Sequence, residues 1–372
     1  MIFTKEGDMI DCVDINKQPA LDHPSLKNHK VQTQPSRYLS KLFKDDSSQS
    51  NNGILRSEGC PVGFVPIRRT SKEDLIRIRS ISSNNNKQES STSHSSSNPQ
   101  DDQSDDFFLD TVKFPYNQNV ASHSLLKGPI YYGSSARMSV YNLSLNIQHS
   151  SSANIWMVGG PDASLDVILA GWQVNPAING DSLPRLFVYW TADGSATTGC
   201  YNMLCQGFVQ VHQSIFLGAT FHPTSTYEGE QYDYKFGIVQ QYGKWWILLG
   251  DEQEALGYFP NELFPNYLSN GADQIAWGGI AKPSPNGMSP PLGNGHKPNS
   301  NGEYNEACYI RNIQYITDGR QVVSPNWDNT LSFVSNSTCY ELNPNENCGH
   351  DQFKYCFTFG GPGGYNCEAT IF

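Results

Sequence analysis

The sequence predicts an all-β protein, an antiparallel β-sandwich preceded by a small disulfide-linked region, and three observations carry the prediction. Gly 32 and Pro 22, with only 16% charged residues, suit many short strands and turns better than long helices. After about residue 115 the large apolar residues recur with period two, as half-buried strands require. Nine cysteines, too scattered for paired zinc ligands, read as disulfides with one left over and point to an oxidising compartment.

Residues 1–80 form the small region. Thr70 and Glu73 stand at capping-box spacing before Leu75-Ile76, which predicts a short helix there. Residues 80–106 have almost no apolar side chain, a Ser/Asn/Asp-rich tract that cannot repay the entropy of ordering, and it makes up most of 81–111. This is the expected linker. The large domain is expected over 112–372. Its clearest unit is a hairpin, Tyr232–Ile238 returning through Gln241-Tyr242-Gly243 as Lys244–Leu249. Further strands are expected at Asn154–Val158, Arg185–Trp190, Gly207–His212, Ile215–Phe221 and Tyr309–Tyr315, and a short helix at Pro260–Leu268. Spacing and turn chemistry favour a sandwich or barrel.

A net charge of -11 leaves no basic field for nucleic acid or an anionic membrane. No apolar run reaches the roughly 18 residues of a membrane-spanning helix. Residues 1–80 carry 13 Lys/Arg against 10 Asp/Glu, whereas 111–372 carry 11 against 20, so the small region could dock on the large one by charge.

Catalytic signatures for a serine elbow, a zinc helix or a phosphate loop are absent. His212 and His222 lack a neighbouring carboxylate cluster and read as ordinary histidines, so neither metal nor cofactor is expected. Cys200-Tyr-Asn-Met-Leu-Cys205 reads as a pinned turn, since redox dithiols use two intervening residues. Trp156, Trp172, Trp190, Trp245, Trp246 and Trp277 supply a core and, for a few of them, the lining of a groove for peptide or glycan.

Longer motifs are distinctive. Gly59-Cys-Pro-Val-Gly-Phe-Val-Pro-Ile-Arg-Arg-Thr70 and Asp11-Cys-Val-Asp-Ile-Asn-Lys-Gln-Pro-Ala20 resemble the propeptide of the neprosin family of plant proteins. Ala170-Gly-Trp-Gln-Val174, Arg185–Asp193, Thr198–Val209, Gly257–Phe264, Trp277-Gly-Gly279, Gly295-His296 and Gly360–Gly363 follow that family's order through the large domain. The resemblance implies a secreted or vacuolar glutamic peptidase made as a zymogen, whose active members cleave after proline in acid with two cleft glutamates. Such a pair works because neighbouring carboxyls split their titrations, one activating water while the other donates a proton.

This chain departs from the pattern at those two positions. Leu169 stands where the first glutamate precedes Ala-Gly-Trp-Gln, and Ala276 or Ile280 stands where the second adjoins Trp-Gly-Gly. Asp166 and Asp273 lie three residues from Leu169 and Ala276, an offset that turns them to the other face of a regular strand. Glu228 and Glu230 flank a glycine and read as loop residues. Two functional readings follow: a non-catalytic neprosin-family protein that binds peptide or cell-wall glycan, or an active prolyl endopeptidase with displaced carboxylates. A third reading is a gene product without maintained function.

By resemblance, Trp172, Gln173, Trp190 and Trp277 are expected to line the cleft, and the region before residue 80 to cover it. Expected disulfides are Cys12–Cys60, Cys200–Cys205 and Cys339–Cys367, with Cys348–Cys356 leaving Cys308 free; sequence does not determine the connectivity. Asn142 and Asn336 begin glycosylation sequons. The opening Met1–Asp8 has no apolar leader core, and the reading is an exported protein whose leader lies outside this sequence.

Overall fold

Strand alternation becomes two-faced sheets in the computed structural model, which describes residues 1–36, 39, 42–43, 58–77, 118–161, 164–345, 347–365 and 367. The expected linker, and with it the domain start at 112, lies outside the described residues.

Seven strands form one antiparallel sheet in the order β17 (Thr330–Val334), β4 (Asn119–Leu125), β14 (Gln274–Lys282), β6 (Ser150–Gly159), β7 (Asp166–Val174), β8 (Arg185–Ala192) and β9 (Cys200–Tyr201). A second runs β10 (Val209–Gln210), β13 (Glu254–Pro260), β12 (Lys244–Leu249), β11 (Asp233–Gln240), β5 (Gly133–Ser139), β15 (Cys308–Ile316), β19 (Cys356–Gly360) and β18 (Glu341–Asn345), with β16 (Val322–Val323) paired to β15. The N-terminal region makes a third, of β1 (Ile2–Phe3), β2 (Met9–Asp14) and β3 (Phe64–Arg68).

One core fills the space between the large sheets. Ile155, Met157, Ile168, Trp172, Val188, Trp190, Ile275 and Trp277 from the seven-stranded sheet meet Ala136, Met138, Phe236, Ile238, Trp245, Ile247 and Phe357 from the other. Two tryptophans also bridge the layers: Trp172 Nε1 donates to the Ser139 carbonyl at 2.9 Å, and Trp277 Nε1 to Ser134 Oγ at 2.9 Å. Buried indole N–H groups need such partners.

Several expected elements differ. Ile215–Phe221 is a loop, because its backbone is drawn elsewhere: His212 Nδ1 accepts from the Ser214 and Ile215 amides, and Phe216 and Ala219 pack on Ile10 of β2. The helix expected at Pro260–Leu268 is two short 3-10 turns, Asn261–Leu263 and Leu268–Asn270, interrupted by Pro265, which cannot donate in a helix interior. The helix near residue 72 does form, but its cap is Ser71 with Asp74 instead of Thr70 with Glu73: Ser71 N donates to Asp74 Oδ2 at 2.8 Å, and Asp74 N to Ser71 Oγ at 3.0 Å.

Disulfides join Cys12 to Cys60, Cys200 to Cys205, Cys339 to Cys367 and Cys348 to Cys356; Cys308 is free and buried. Burial pushes its thiol up to about 12, which keeps it an unreactive packing residue.

Described residues of the N-terminal region dock on the nine-stranded sheet. Ala20, Leu39 and Phe43 pack with Val209, Val211, Val239, Trp246, Leu248, Tyr258 and Ile316 on the outer face of the nine-stranded sheet. Ion pairs of both senses join the regions: Asp8 meets Arg185 at 2.6 Å, and His29 lies 3.5 Å from Glu262.

Candidate functional site

The expected acid positions fall on the outer face of the seven-stranded sheet. In β7, Ile168, Ala170 and Trp172 point to the inter-sheet core, so Leu169, Gly171 and Gln173 take the other face. The same alternation puts Ala276, Gly278 and Ile280 of β14 outward, with Trp156, Asn154 and Ser152 of β6 between the two strands.

Register then fixes who faces whom. Trp156 is paired with Ala276 on one side and Leu169 on the other, and Leu169 with Tyr189 beyond it. With strands ~4.8 Å apart, Leu169 and Ala276 are about 10 Å apart in one row. Two glutamate side chains leaning inward from such positions could share a water and a substrate bond. Ile280 lies four residues further along β14, in the row of Ser152 and Gln173, about 13 Å along the strand at ~3.3 Å per residue. Of the two candidates for the second acid position, Ala276 has the geometry of a dyad with Leu169.

The row is apolar. Leu169 is 5% exposed, Trp156 and Ala276 are fully buried, and they form one cluster with Val158, Val167, Phe187 and Ile280. The displaced acids have other work. Asp166 Oδ2 accepts from the Tyr267 and Leu268 amides at 3.0 Å each, and Asp273 Oδ2 from Gly160 N at 3.0 Å. Glu228 and Glu230 are exposed loop residues, and Glu230 accepts from the Tyr232 hydroxyl at 2.5 Å.

Trp172, Trp190 and Trp277, expected in the cleft, instead face the partner sheet and are 0%, 4% and 0% exposed. Each lies an odd number of residues from an outward position, so strand parity turns it inward. Gln173 alone of that set is on the outer face. Beside it stands Asn154, which the motifs did not single out. Its Nδ2 donates to Ser152 Oγ at 3.1 Å, whereas its Oδ1 and the Gln173 Nε2 are buried without hydrogen-bond partners. Between these rows the sheet carries only Gly171 and Gly278 on either side of Asn154. A Cβ at Gly171 would stand 1.9 Å from the Ala153 carbonyl oxygen, and one at Gly278 2.0 Å from that of Ala121, so strand approach requires both glycines.

His212 accepts two backbone amides and lies 3.7 Å from Glu254, and His222 is exposed. Among the described residues no group of histidine, cysteine or carboxylate side chains could hold a metal ion. Asn142 and the Ser144 of its sequon are exposed, and Asn336 Oδ1 accepts from Thr338 N in a turn.

Family models match along most of the length: residues 147–362 match the model described as Neprosin, and residues 1–112 that of the neprosin activation peptide. The chain belongs to the neprosin family. As a neprosin-family chain it has the two-part organisation of a peptidase-like zymogen, an activation-peptide region followed by the family's β domain. Similar solved structures include Scytalido-glutamic peptidase with a peptide-based transition state analog, at 12% identity over 66% of this chain and 98% of that one, with a TM-score of 0.36. SCP-B, a member of the Eqolisin family of peptidases in complex with the tripeptide Ala-Ile-His, is similar at 12% identity over 66% and 98%, with a TM-score of 0.34. Chicken galectin 2 shares 11% identity over 44% of this chain and 90% of that one, with a TM-score of 0.23. Among the described residues no helix is long and apolar enough to cross a membrane.

Proposed function

We propose that this protein is a secreted, non-catalytic member of the neprosin family that keeps a peptide-binding face on its seven-stranded sheet. The observation that carries the reading is the row Ala276–Trp156–Leu169. Both acid positions implied by the family motifs hold hydrocarbon, inside one apolar cluster. Leucine and alanine can neither activate water nor donate a proton, so the acid–base step has no agent there.

Secretion is supported by four disulfides, which persist in oxidising compartments. A peptide ligand is favoured over a glycan because Asn154 Oδ1 and Gln173 Nε2, side by side on this face and without hydrogen-bond partners, match the donor and acceptor of a backbone amide once the face is uncovered.

A second reading, an acid endopeptidase with displaced carboxylates, has one observation in its favour. Asp166 and Asp273 each keep a buried oxygen without a partner, and burial raises the Asp166 carboxyl above its ordinary range. Incubation with end-blocked proline-containing peptides at pH 3 to 6, followed by mass spectrometry, separates the readings. Intact peptide is expected. Products that vanish in an Asp166→Asn, Asp273→Asn variant would instead establish the displaced pair.

A further inference from the structure

We infer that the N-terminal region is a resident part of the folded protein, and that a chain cut within residues 81–110 keeps its N-terminal piece bound as a second, non-covalent subunit. The inference is independent of the catalytic reading. It rests on what the N-terminal residues cover and how they are held.

The outer face of the nine-stranded sheet carries Val209, Val211, Val239, Trp246, Leu248, Tyr258 and Ile316, all buried in one cluster with Ala20, Leu39 and Phe43. Without the N-terminal piece these seven side chains would form a contiguous apolar patch of a kind that soluble monomers rarely leave bare. Leu26 goes further and joins the main core at 1% exposure.

Polar groups fix the register of this cover. Asp8 accepts from Arg68 Nε at 2.7 Å and from Arg185 Nη1 at 2.6 Å, and Arg185 is 1% exposed. Gln18 closes a reciprocal pair with β10: its Nε2 donates to the Gln210 carbonyl at 3.1 Å, and Gln210 N donates to its Oε1 at 2.7 Å. Cys60 N donates to the Gln213 carbonyl at 2.8 Å, and His29 Nε2 bonds the Tyr258 hydroxyl at 2.8 Å. At the far end Arg77 donates to the carbonyls of Ala177 and Ile178 at 2.8 and 3.2 Å. The Cys12–Cys60 disulfide lies wholly within the piece, so a cut in 81–110 leaves the piece cross-linked and its contacts whole. Breaking one such buried polar contact would leave a charge or amide unpaired in a dry interface, which slows departure.

The partner is thus this chain's own residues 1–77. To test it, a site-specific protease sequence is inserted between Ser91 and Asn98 of the full-length protein, the chain is cut, and the product is run on size exclusion at about 1 μM, where only sub-micromolar association survives. Both pieces are expected in one peak and separate only in denaturant. The Asp8→Asn and Gln18→Ala chains are expected to release the piece at least about tenfold faster, measured by chasing with unlabelled N-terminal piece. Separate elution of the two pieces, or loss of the N-terminal piece with aggregation of the rest, would overturn the inference, as would equal release rates in all three chains.

Discussion

Leu169 and Ala276 stand on opposite sides of Trp156, in one row on the outer face of three neighbouring strands. The positions are those at which the family motifs imply acids, and the row shows them close enough to have acted together. Both residues belong to one apolar cluster, and the proposed loss of catalysis rests on that.

That environment predicts the effect of restoring one acid. Leu169→Glu places a single carboxyl in the cluster, where burial raises its pKa. A raised carboxyl is disfavoured most above its folded pKa and least below it. Denaturant unfolding is expected to show a loss of about 2–4 kcal/mol at pH 7 and a clearly smaller loss at pH 4.

A second acid, Asp233, anchors the nine-stranded sheet. It meets Arg137 at 3.0 Å and Arg311 at 2.6 Å, and accepts from the Tyr309 hydroxyl at 2.8 Å. Burial works against its charge, but Arg311 and Arg137 outweigh burial and hold the carboxyl below the usual range. Its stabilisation is therefore present above the unfolded carboxylate pKa and lost as pH falls through the folded one. Asp233→Asn takes the shared carboxylate from Arg311 and from Arg137, which keeps Asp251, and is expected to cost about 2–4 kcal/mol near neutrality, measured by chemical unfolding.

His123 of β4 responds to acid in the same sense. It is 2% exposed, bonded to Ser332 and Tyr355 at 2.9 and 2.8 Å, and burial lowers its pKa to about 4. The unfolded chain takes the proton first, so stability is full above about pH 6.5 and falls as pH drops toward 4. About 3 kcal/mol is at stake over that window. In His123→Asn the fall in melting temperature between pH 7 and pH 4 is expected to shrink.

The bridging indoles should be separable from their packing. Trp277→Phe keeps an aromatic ring in the core but removes the 2.9 Å bond to Ser134 Oγ. A loss of about 1–3 kcal/mol is expected from the missing bond and lost volume, and Ser134→Ala in the same chain should add about 1 kcal/mol for the 2.9 Å bond its Oγ donates to the Gln314 carbonyl.

Much of the fold was legible because period-two alternation is a local signal. The Tyr232–Leu249 hairpin emerged as Asp233–Gln240 and Lys244–Leu249, since its turn and both strands are contiguous. Ile215–Phe221 read as a strand from composition alone, and its loop form comes from contacts with β2, some two hundred residues away, which no local pattern records. The site was legible in part. Motifs pointed to Leu169 and to Ala276 or Ile280, but only the register of β6 shows that Ala276 shares a row with Leu169 and Ile280 one with Gln173. The tryptophans show the converse: Trp172 and Trp277 of the motifs join the sheets, and only parity distinguishes that placement from the outer face. Asn154 has no motif signal, and its setting became visible only when Gly171 and Gly278 were found on either side of it.

Cleavage is the most direct measurement of the central claim. The natural chain and the Leu169→Glu, Ala276→Glu double variant, each cut in residues 81–110, are incubated with end-blocked proline-containing peptides at pH 4 and the products identified by mass spectrometry. No turnover by the natural chain is predicted, with any turnover confined to the double variant. Turnover by the natural chain that persists after repurification would contradict the claim and show that carboxylates other than the missing pair perform the chemistry.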